Sequence, residues 1–257
     1  MAVFGGNTTC VEIRAGNRLL IIDAGTGIRN LGSSLVAQKN GPLNADIFLT
    51  HSHMDHICGF LMFQPFFDKN NTFRVYGPLS RSGKKMNEVI DTLFTADYWP
   101  IGLSALPSAL EWKDLQEGMY DIGDGVIIKT LLLEHPAPNF GYRIEFEGKS
   151  MAFVFDHEGY LQSNEKVVSF LRGADLVVMD SQYTEEEYYR NRQGWGHNSF
   201  EKSIATAEEA GVKDTLVFFH HDPDRTDKQL AELEKKYARQ TNIKNVYAAK
   251  ENTVFEV

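Results

Sequence analysis

The sequence has few cysteines and no long apolar run. Only two of its 257 residues are cysteines, Cys10 and Cys58, and neither lies in a metal-binding pair such as C-x-x-C. No segment approaches the roughly 20 apolar residues that span a bilayer. No basic segment followed by an apolar core opens the chain. We therefore expect a cytoplasmic protein with reduced thiols and no membrane partner.

Basic residues are also fewer than acidic ones. Lys and Arg number 26 against 35 Asp and Glu, which gives a formal net charge of −9. Such a surface repels polyanions, so a long nucleic acid is not expected as the main partner. A small phosphate ester is not excluded, because bound divalent cations would reverse the potential locally.

The composition is otherwise that of an ordinary globular chain, with 42% hydrophobic and 24% charged residues. The length suits one large domain or two small ones. The sequence contains no internal repeat, low-complexity tract or Pro/Gly-rich linker. We therefore predict a single domain over residues 1–257.

The most informative stretch is an apolar strand followed at once by histidines. Residues 46–50 read as a strand, and the next six positions hold His51, His53, Asp55 and His56. Imidazole and carboxylate are ligands that borderline divalent metals prefer. Chance clustering of histidines is the alternative, but four candidate ligands in six positions favour a metal site at a strand end. The i, i+2 spacing of the first pair places both on one side of an extended segment, so each pair can serve a different ion.

Four more predicted strands end in a polar residue that can bind metal. These residues are Glu134-His135, Asp156-His157, Asp180 and His220-His221. All eight histidines lie in loops after strands or, for His197, in the glycine-flanked segment 194–197, and none falls within a predicted helix. Since strand ends in layered α/β folds meet along one edge, this distribution predicts one shared site.

The remaining elements are read from hydrophobic period and turn residues. We predict a hairpin of residues 11–13 and 19–22 around Gly16-Asn17, a helix ending near Lys39, a helix over 82–94, and a strand over 253–257. Residues 57–125 are the least readable part. Their aromatic residues either wall a pocket and stack a ring of the substrate or belong to the core. These residues are Phe63, Phe66, Phe67, Tyr98 and Trp99.

The segment His51-Ser52-His53-Met54-Asp55-His56 resembles the H-x-H-x-D-H signature of the metallo-β-lactamase superfamily of metal hydrolases. That resemblance implies an α/β fold, a four-layer αββα sandwich, with one or two metal ions at one edge. Asp23 at the end of the hairpin resembles the aspartate that supports the metal loop in this family. A turn or helix-capping aspartate is the alternative for that residue.

Other segments resemble one branch of the superfamily, which contains tRNA 3′-processing endonucleases (RNase Z) and cyclic-phosphate phosphodiesterases. These segments are residues 5–10, 23–27, 135 with 141–144, 196–199 and 220–223. By this likeness one metal takes His51, His53 and His135. The other takes Asp55, His56 and His220, and Asp156 bridges the two. His220 is chosen over His221 because it lies three residues before Pro223, and His157, His221, Asp23 and Asp180 are expected to surround the ligands or the substrate.

The ligand set implies a chemistry. Two divalent ions, zinc or alternatively manganese or iron, would hold a bridging hydroxide, because coordination lowers the pKa of water to about 7. His197 resembles the catalytic histidine of the branch and is expected to assist the leaving group, with loop packing or helix capping as the alternative. Asp55 is expected to orient the hydroxide as well as to bind metal.

We expect the substrate to be a cyclic nucleotide or cyclic sugar phosphate. The endonucleases carry a basic arm that grips tRNA, and the sequence has no Gly- and Lys/Arg-rich insertion of that kind. The alternatives are endonuclease activity, thioester or lactone hydrolysis, and a non-catalytic module on the same fold. Similar proteins usually have a further strand and loop before the Gly-Gly-Asn-Thr segment, whereas only residues 1–4 precede it here. If the first sheet lacks that edge strand, a neighbouring chain would cover the edge, and on this reasoning a homodimer is expected.

Overall fold

A computed structural model describes residues 3–38, 40–160 and 164–257. The chain divides into two compact units. The N-terminal unit comprises residues 7–116, and the C-terminal unit joins residues 117–257 to the segment before Asn7. The prediction of one domain stays a prediction, and each unit is described by itself below.

The N-terminal unit is built on a five-stranded sheet with the order β1-β2-β3-β4-β5. The strands are β1 Val11–Ala15, β2 Arg18–Ile22, β3 Asn44–Phe48, β4 Thr72–Gly77 and β5 Ala109–Asp114. The helices are α1 Gly27–Gln38, α2 Met54–Ile57 and α3 Met86–Leu93. β1 and β2 form the predicted hairpin, while β2 to β5 are parallel.

Parallel pairing brings the carboxyl ends of β2 and β3 to the same edge of this sheet. Ile22 pairs with Phe48, and the backbone N–H of Asp23 donates to Phe48 O over 2.9 Å. The residues that follow the two strands therefore lie side by side. This places Asp23 next to the turn that carries His51.

An aromatic cluster fills the core of the N-terminal unit. Phe60, Phe63, Phe66 and Phe73 are fully buried, and the Phe66 ring lies 4.8 Å from that of Phe73, edge to face. Burial of each such side chain contributes about 2 kcal/mol to folding. Of the aromatics considered as a pocket wall, Phe63 and Phe66 are thus core residues.

The C-terminal unit is built on a seven-stranded sheet with the order β12-β11-β10-β9-β8-β7-β6. The strands are β6 Gly118–Asp121, β7 Ile127–Leu132, β8 Phe140–Phe146, β9 Lys149–Val154, β10 Leu176–Asp180, β11 Thr215–Phe219 and β12 Asn245–Ala248. The helices are α4 Glu165–Leu171, α5 Glu185–Asn191, α6 Phe200–Glu209 and α7 Asp227–Tyr237. β9 to β12 are parallel, and β6 to β9 are antiparallel.

The parallel strands β9, β10 and β11 determine where the polar residues lie. Their carboxyl ends deliver Asp156, Asp180 and His220 to one edge of the sheet. Helix α6 begins at its cap Ser199, whose hydroxyl accepts from Lys202 N. Its buried residues at helical spacing, Phe200 among them, belong to the core cluster of β9 to β11. The segment with His197 is thereby fixed just ahead of a packed helix.

Several predicted elements differ from the structure. α3 begins at Met86 rather than near residue 82, and residues 253–257 form no strand within the described part of the chain. His56, which was assigned to a loop from the sequence, lies in the single helical turn α2. The predicted end of α1 at Lys39 lies outside the described residues. Among the helices that are described, none combines the length and the apolar character needed to cross a membrane.

Candidate metal centre

In the N-terminal unit, Asp23 organises the histidine segment. Its side chain is fully buried and accepts three hydrogen bonds. The Thr50 backbone N–H donates to Oδ1 over 2.7 Å, and the Thr50 hydroxyl donates to Oδ2 over 2.9 Å. His56 Nδ1 lies 2.7 Å from the same Oδ2. Burial raises the pKa of Asp23, and the contacts with His56 and Thr50 oppose that shift.

These contacts set the proton positions on two histidines. A carboxylate only accepts, so Nδ1 of His56 carries its proton. The Thr50 hydroxyl donates its proton to Asp23, and it accepts from His51 Nδ1 over 3.0 Å. In both imidazoles Nε2 is then the nitrogen with the lone pair, which is the form that binds a metal. The predicted supporting role of Asp23 fits this geometry.

The loop after β2 packs tightly on the histidine segment. Ala24 N donates to His56 O over 2.8 Å, and Gly59 N donates to Ala24 O over 2.9 Å. A Cβ at Gly25 would overlap the carbonyl oxygen of Asp55. Only glycine permits this approach, which accounts for the glycine at position 25.

The candidate ligands of this unit lie close together. The His51 ring centroid is 4.5 Å from that of His53 and 4.3 Å from that of His56. His56 Nε2 lies 3.4 Å from Asp55 Oδ2. Two ligand atoms at about 2.0–2.1 Å from a tetrahedral ion lie roughly 3.4 Å apart. The Asp55–His56 separation therefore fits one ion bound by both.

In the C-terminal unit, Asp156 faces two histidines with its two oxygens. Oδ2 lies 3.9 Å from His135 Nε2, and Oδ1 lies 3.4 Å from His220 Nε2. The carboxylate is buried, with 2% of the residue exposed. Asn139 Nδ2 donates over 2.7 Å to the carbonyl oxygens of both Phe155 and Asp156, which fixes this strand end. A carboxylate with one oxygen toward each imidazole is arranged to bridge two ions.

The tautomers of His135 and His220 are set by different partners. His135 Nδ1 lies 3.0 Å from the carbonyl oxygen of Gly196, so it carries the proton and Nε2 has the lone pair. His220 Nδ1 lies 3.0 Å from Gln182 Nε2. Binding of metal through His220 Nε2 requires a half-turn of the Gln182 amide, after which the amide oxygen accepts from Nδ1–H.

His197 is paired with Asp180 beside His220. Its Nδ1 lies 2.8 Å from Asp180 Oδ2, and its ring stacks on that of His220 with centroids 4.8 Å apart. Burial lowers the pKa of His197, but the charge and hydrogen bond of Asp180 outweigh it and raise the pKa above its ordinary value. His197 is therefore suited to donate a proton near neutral pH.

The two remaining predicted neighbours lie further along their strand ends. His157 is buried, its backbone N–H donates to Asp180 Oδ2 over 3.1 Å, and burial lowers its pKa to about 4. His221 Nε2 donates to the carbonyl oxygen of Ala249 over 2.9 Å. These contacts place His220 rather than His221 beside Asp156.

Three site residues share an unusual backbone conformation. Asp23, Asp156 and His220 have φ values of 62°, 49° and 59°, in the left-handed region that favours glycine. Each follows a strand that carries it to a sheet edge. A residue with a side chain adopts this conformation only at the cost of some backbone strain, and such strain is common at functional sites.

Three polar residues of the site were not predicted from the sequence. Thr50 links Asp23 to His51, Gln182 contacts His220, and Glu158 holds the loop before His197. Glu158 could have been noticed, because it extends the Asp156-His157 pair to three ionisable residues in a row. The other two are ordinary polar residues with no sequence signal.

Comparison with known proteins identifies the family. A model described as "Beta-lactamase superfamily domain" matches residues 18–221, more than half of the chain. The ribonuclease Z of Mycobacterium marinum (strain ATCC BAA-535 / M) is 27% identical over 228 residues, which cover 82% of this chain and 78% of that protein.

Solved structures agree on the fold. The metallo-β-lactamase fold protein YhfI from Bacillus subtilis has a TM-score of 0.71 and 19% identity, covering 97% of this chain and 92% of its own. Human tRNase Z, short form, has a TM-score of 0.68 and 17% identity with the same coverage. The predicted fold class is confirmed, and the protein belongs to the β-lactamase superfamily domain family, as a metal-dependent hydrolase related to ribonuclease Z.

Proposed function

We propose that this hydrolase is a dinuclear phosphodiesterase that cleaves a small phosphate ester, either a cyclic nucleotide or a cyclic ribose phosphate. The observation that carries the proposal is Asp156, whose two oxygens face different imidazoles. A carboxylate shared in this way suits a pair of ions that together bind one phosphate. The Asp180–His197 pair beside it supplies a proton donor.

The proposed ligand set is the one that the resemblance to the ribonuclease Z branch implies. One ion is bound by His51, His53 and His135, the other by Asp55, His56 and His220, with Asp156 shared. Support comes from the proton positions, because His51, His56 and His135 each present Nε2. Imidazole and carboxylate suit zinc, with manganese or iron as alternatives. Elemental analysis of protein purified without chelator identifies the metal.

When bound, the two ions would supply a hydroxide nucleophile at neutral pH and positive charge for the phosphate oxygens. The other parts of the reaction are performed by side chains of the protein. His197 Nε2 gives its proton to the departing alkoxide, and Asp180 holds the ring by Nδ1 and stabilises the protonated form. Asp55 is proposed to orient the nucleophile as well as to bind metal.

A small substrate is favoured over a polynucleotide by charge. The net charge of −9 repels a long polyanion, whereas a mononucleotide carries only one or two charges for the ions to neutralise. The sequence also has no basic insertion of the kind that would grip tRNA.

The test is turnover by metal-loaded protein of cyclic mononucleotides and of a ribosyl cyclic phosphate, alongside precursor tRNA. We expect hydrolysis of one of the cyclic esters and loss of that activity in His197→Ala, with the metal content unchanged. Cleavage of tRNA without turnover of either ester overturns the substrate proposal. A thioester or lactone that is hydrolysed equally well by His197→Ala indicates a different bond.

Endonuclease activity is the second candidate. One observation favours it, namely that the relative from Mycobacterium marinum is named ribonuclease Z and aligns with 82% of this chain. Salt dependence separates the two candidates, because binding of a polynucleotide weakens steeply with salt, whereas binding of a small cyclic phosphodiester, which contacts few charged groups, does not.

The expected homodimer stays a proposal. β1 is an edge strand in the order of its sheet, and an uncovered edge invites pairing. Light scattering of the purified protein over a range of concentrations measures the mass directly.

A further inference from the structure

Glu158 is a buried carboxylate without a role in the chemistry proposed above. The residue is fully buried, and its side chain accepts three hydrogen bonds. Tyr188 Oη and Gly194 N donate to Oε1 over 2.7 and 2.6 Å, and Gly196 N donates to Oε2 over 2.7 Å. A buried charge is costly unless it is hydrogen-bonded in this way. The carboxylate oxygens of Glu158 thus hold the loop that precedes His197.

The same residue closes a ring of contacts around His135. Its own backbone N–H donates to Glu134 O over 2.9 Å. Its side chain fixes the N–H of Gly196, whose carbonyl oxygen faces His135 Nδ1 at 3.0 Å. Glu158 therefore holds His135 in two ways. Its backbone binds Glu134, the residue before His135, and its side chain fixes Gly196, which contacts the His135 ring.

The loop needs such an anchor because of its own sequence. Gly194 and Gly196 have φ values of 80° and 87°, and glycine loses more conformational freedom on ordering than any other residue. A Cβ at position 196 would overlap His135 Nδ1, so a stiffer residue cannot take its place. The direction of the Gly196 carbonyl must be fixed from outside the loop.

We propose that Glu158 is a positioning residue, which sets the tautomer and orientation of His135 through the backbone of Gly196 and holds His197 next to it. The inference rests on the proposed function to the extent that His135 is a metal ligand. Glu158 touches neither the candidate ligand atoms nor the reacting atoms. Its effect on His135 is transmitted through the backbone of Gly196, whose N–H binds Glu158 and whose carbonyl oxygen faces His135.

Tyr188 provides the matched control. Its hydroxyl donates to Glu158 Oε1, and burial together with this hydrogen bond raises its pKa, so it remains a donor. Its ring stacks on Tyr160 with centroids 4.3 Å apart. Tyr188→Phe keeps that packing and removes one hydrogen bond from Glu158 while leaving both loop contacts.

Glu158→Gln is the test variant. Glutamine has one oxygen and one NH₂ group, and the NH₂ group would face a backbone N–H of Gly194 or Gly196, so at least one loop contact is lost. We expect affinity for zinc, measured by competition with a chelator, to fall about 10- to 100-fold in Glu158→Gln. We expect Tyr188→Phe to keep the wild-type affinity for zinc, because both contacts of Glu158 with the loop remain.

A second readout needs no metal. Ring nitrogen NMR of the metal-free protein reports the tautomer of His135, which should be Nδ1–H in the wild type and in Tyr188→Phe, and mixed in Glu158→Gln. A folded Glu158→Gln protein with wild-type zinc affinity and tautomer overturns the inference. So does a wild-type His135 in the Nε2–H form, which covers the case in which Glu158→Gln does not fold. If the wild type binds none of zinc, manganese and iron, the proposed function fails, and the tautomer of His135 still decides the role of Glu158.

Discussion

Alanine at Gly196 should be much more damaging than alanine two residues earlier at Gly194. Both glycines have left-handed backbone, with φ of 87° and 80°, so both substitutions carry a backbone cost of about 1 kcal/mol. They differ in surroundings. A Cβ at 194 meets nothing within 4 Å, whereas a Cβ at 196 would overlap His135 Nδ1 and lie 2.5 Å from Pro136 Cδ.

The steric difference sets the magnitude. Forcing a methyl group into a packed site costs about 1–3 kcal/mol, so Gly196→Ala should lose roughly 2–4 kcal/mol and Gly194→Ala about 1 kcal/mol. At roughly 2–4 °C per kcal/mol for a chain of this size, the melting temperatures should fall by roughly 5–15 °C and 2–4 °C. Metal-free protein is used, because bound metal would add to stability by mass action.

Metal binding gives the decisive comparison. Gly196→Ala displaces His135, so zinc affinity should fall by at least about tenfold, while Gly194→Ala should keep the wild-type value. Equal losses of stability in the two variants, or wild-type zinc affinity in Gly196→Ala, would show that the contact between this backbone and His135 has no role.

Three further outcomes are expected. Asp23→Asn removes the carboxylate that accepts from His56 Nδ1–H, and chelator competition should show zinc affinity lower by about 10- to 100-fold; an unchanged value contradicts the tautomer argument. Burial lowers the pKa of His157 to about 4, below the value of about 6.5 in the unfolded state. The unfolded state therefore binds more protons between these two pH values. As the pH falls from about 6.5 to about 4, metal-free protein should lose about 3 kcal/mol of stability. Urea titrations at several pH values give the free energy of unfolding, which should depend less steeply on pH in His157→Asn than in the wild type. His197→Ala should lower turnover by about 10²- to 10⁴-fold with unchanged metal content, and a smaller effect would remove His197 from the chemistry.

Local sequence predicts the elements that carry the candidate ligands. β11 ends, as predicted, just before His220-His221, because it is a short apolar run that stops where polar turn residues follow. The hairpin of β1 and β2 follows from Gly16-Asn17, and Gly16 indeed has a φ of 56°. Where hydrophobic pattern and turn chemistry coincide, the fold is readable from one sequence.

Weakly patterned elements escaped prediction for physical reasons. β5 reads Ala-Leu-Glu-Trp-Lys-Asp and is largely exposed at the end of its sheet. Only Leu110 and Trp112 pack against the core, and two alternating apolar residues are too short a pattern to predict a strand. The strand expected at residues 253–257 was wrong, because alternation alone does not make a strand without a partner to pair with.

The candidate site likewise has a part that the sequence predicts and a part that it does not. Imidazoles and carboxylates at strand ends were predicted because their residue types and positions are informative. The contact of Glu158 with Gly196 joins residues 38 positions apart, and no local pattern in either segment announces it. Supporting contacts of this kind depend on tertiary packing and were beyond the sequence.

The left-handed backbone of Asp23, Asp156 and His220 carries an evolutionary consequence. Glycine would relax each of these turns by about 1 kcal/mol, yet glycine brings no carboxylate or imidazole to the sheet edge. A library screened only for survival at high temperature should therefore accumulate glycine at positions 156 and 220, and one screened for turnover should retain the native residues.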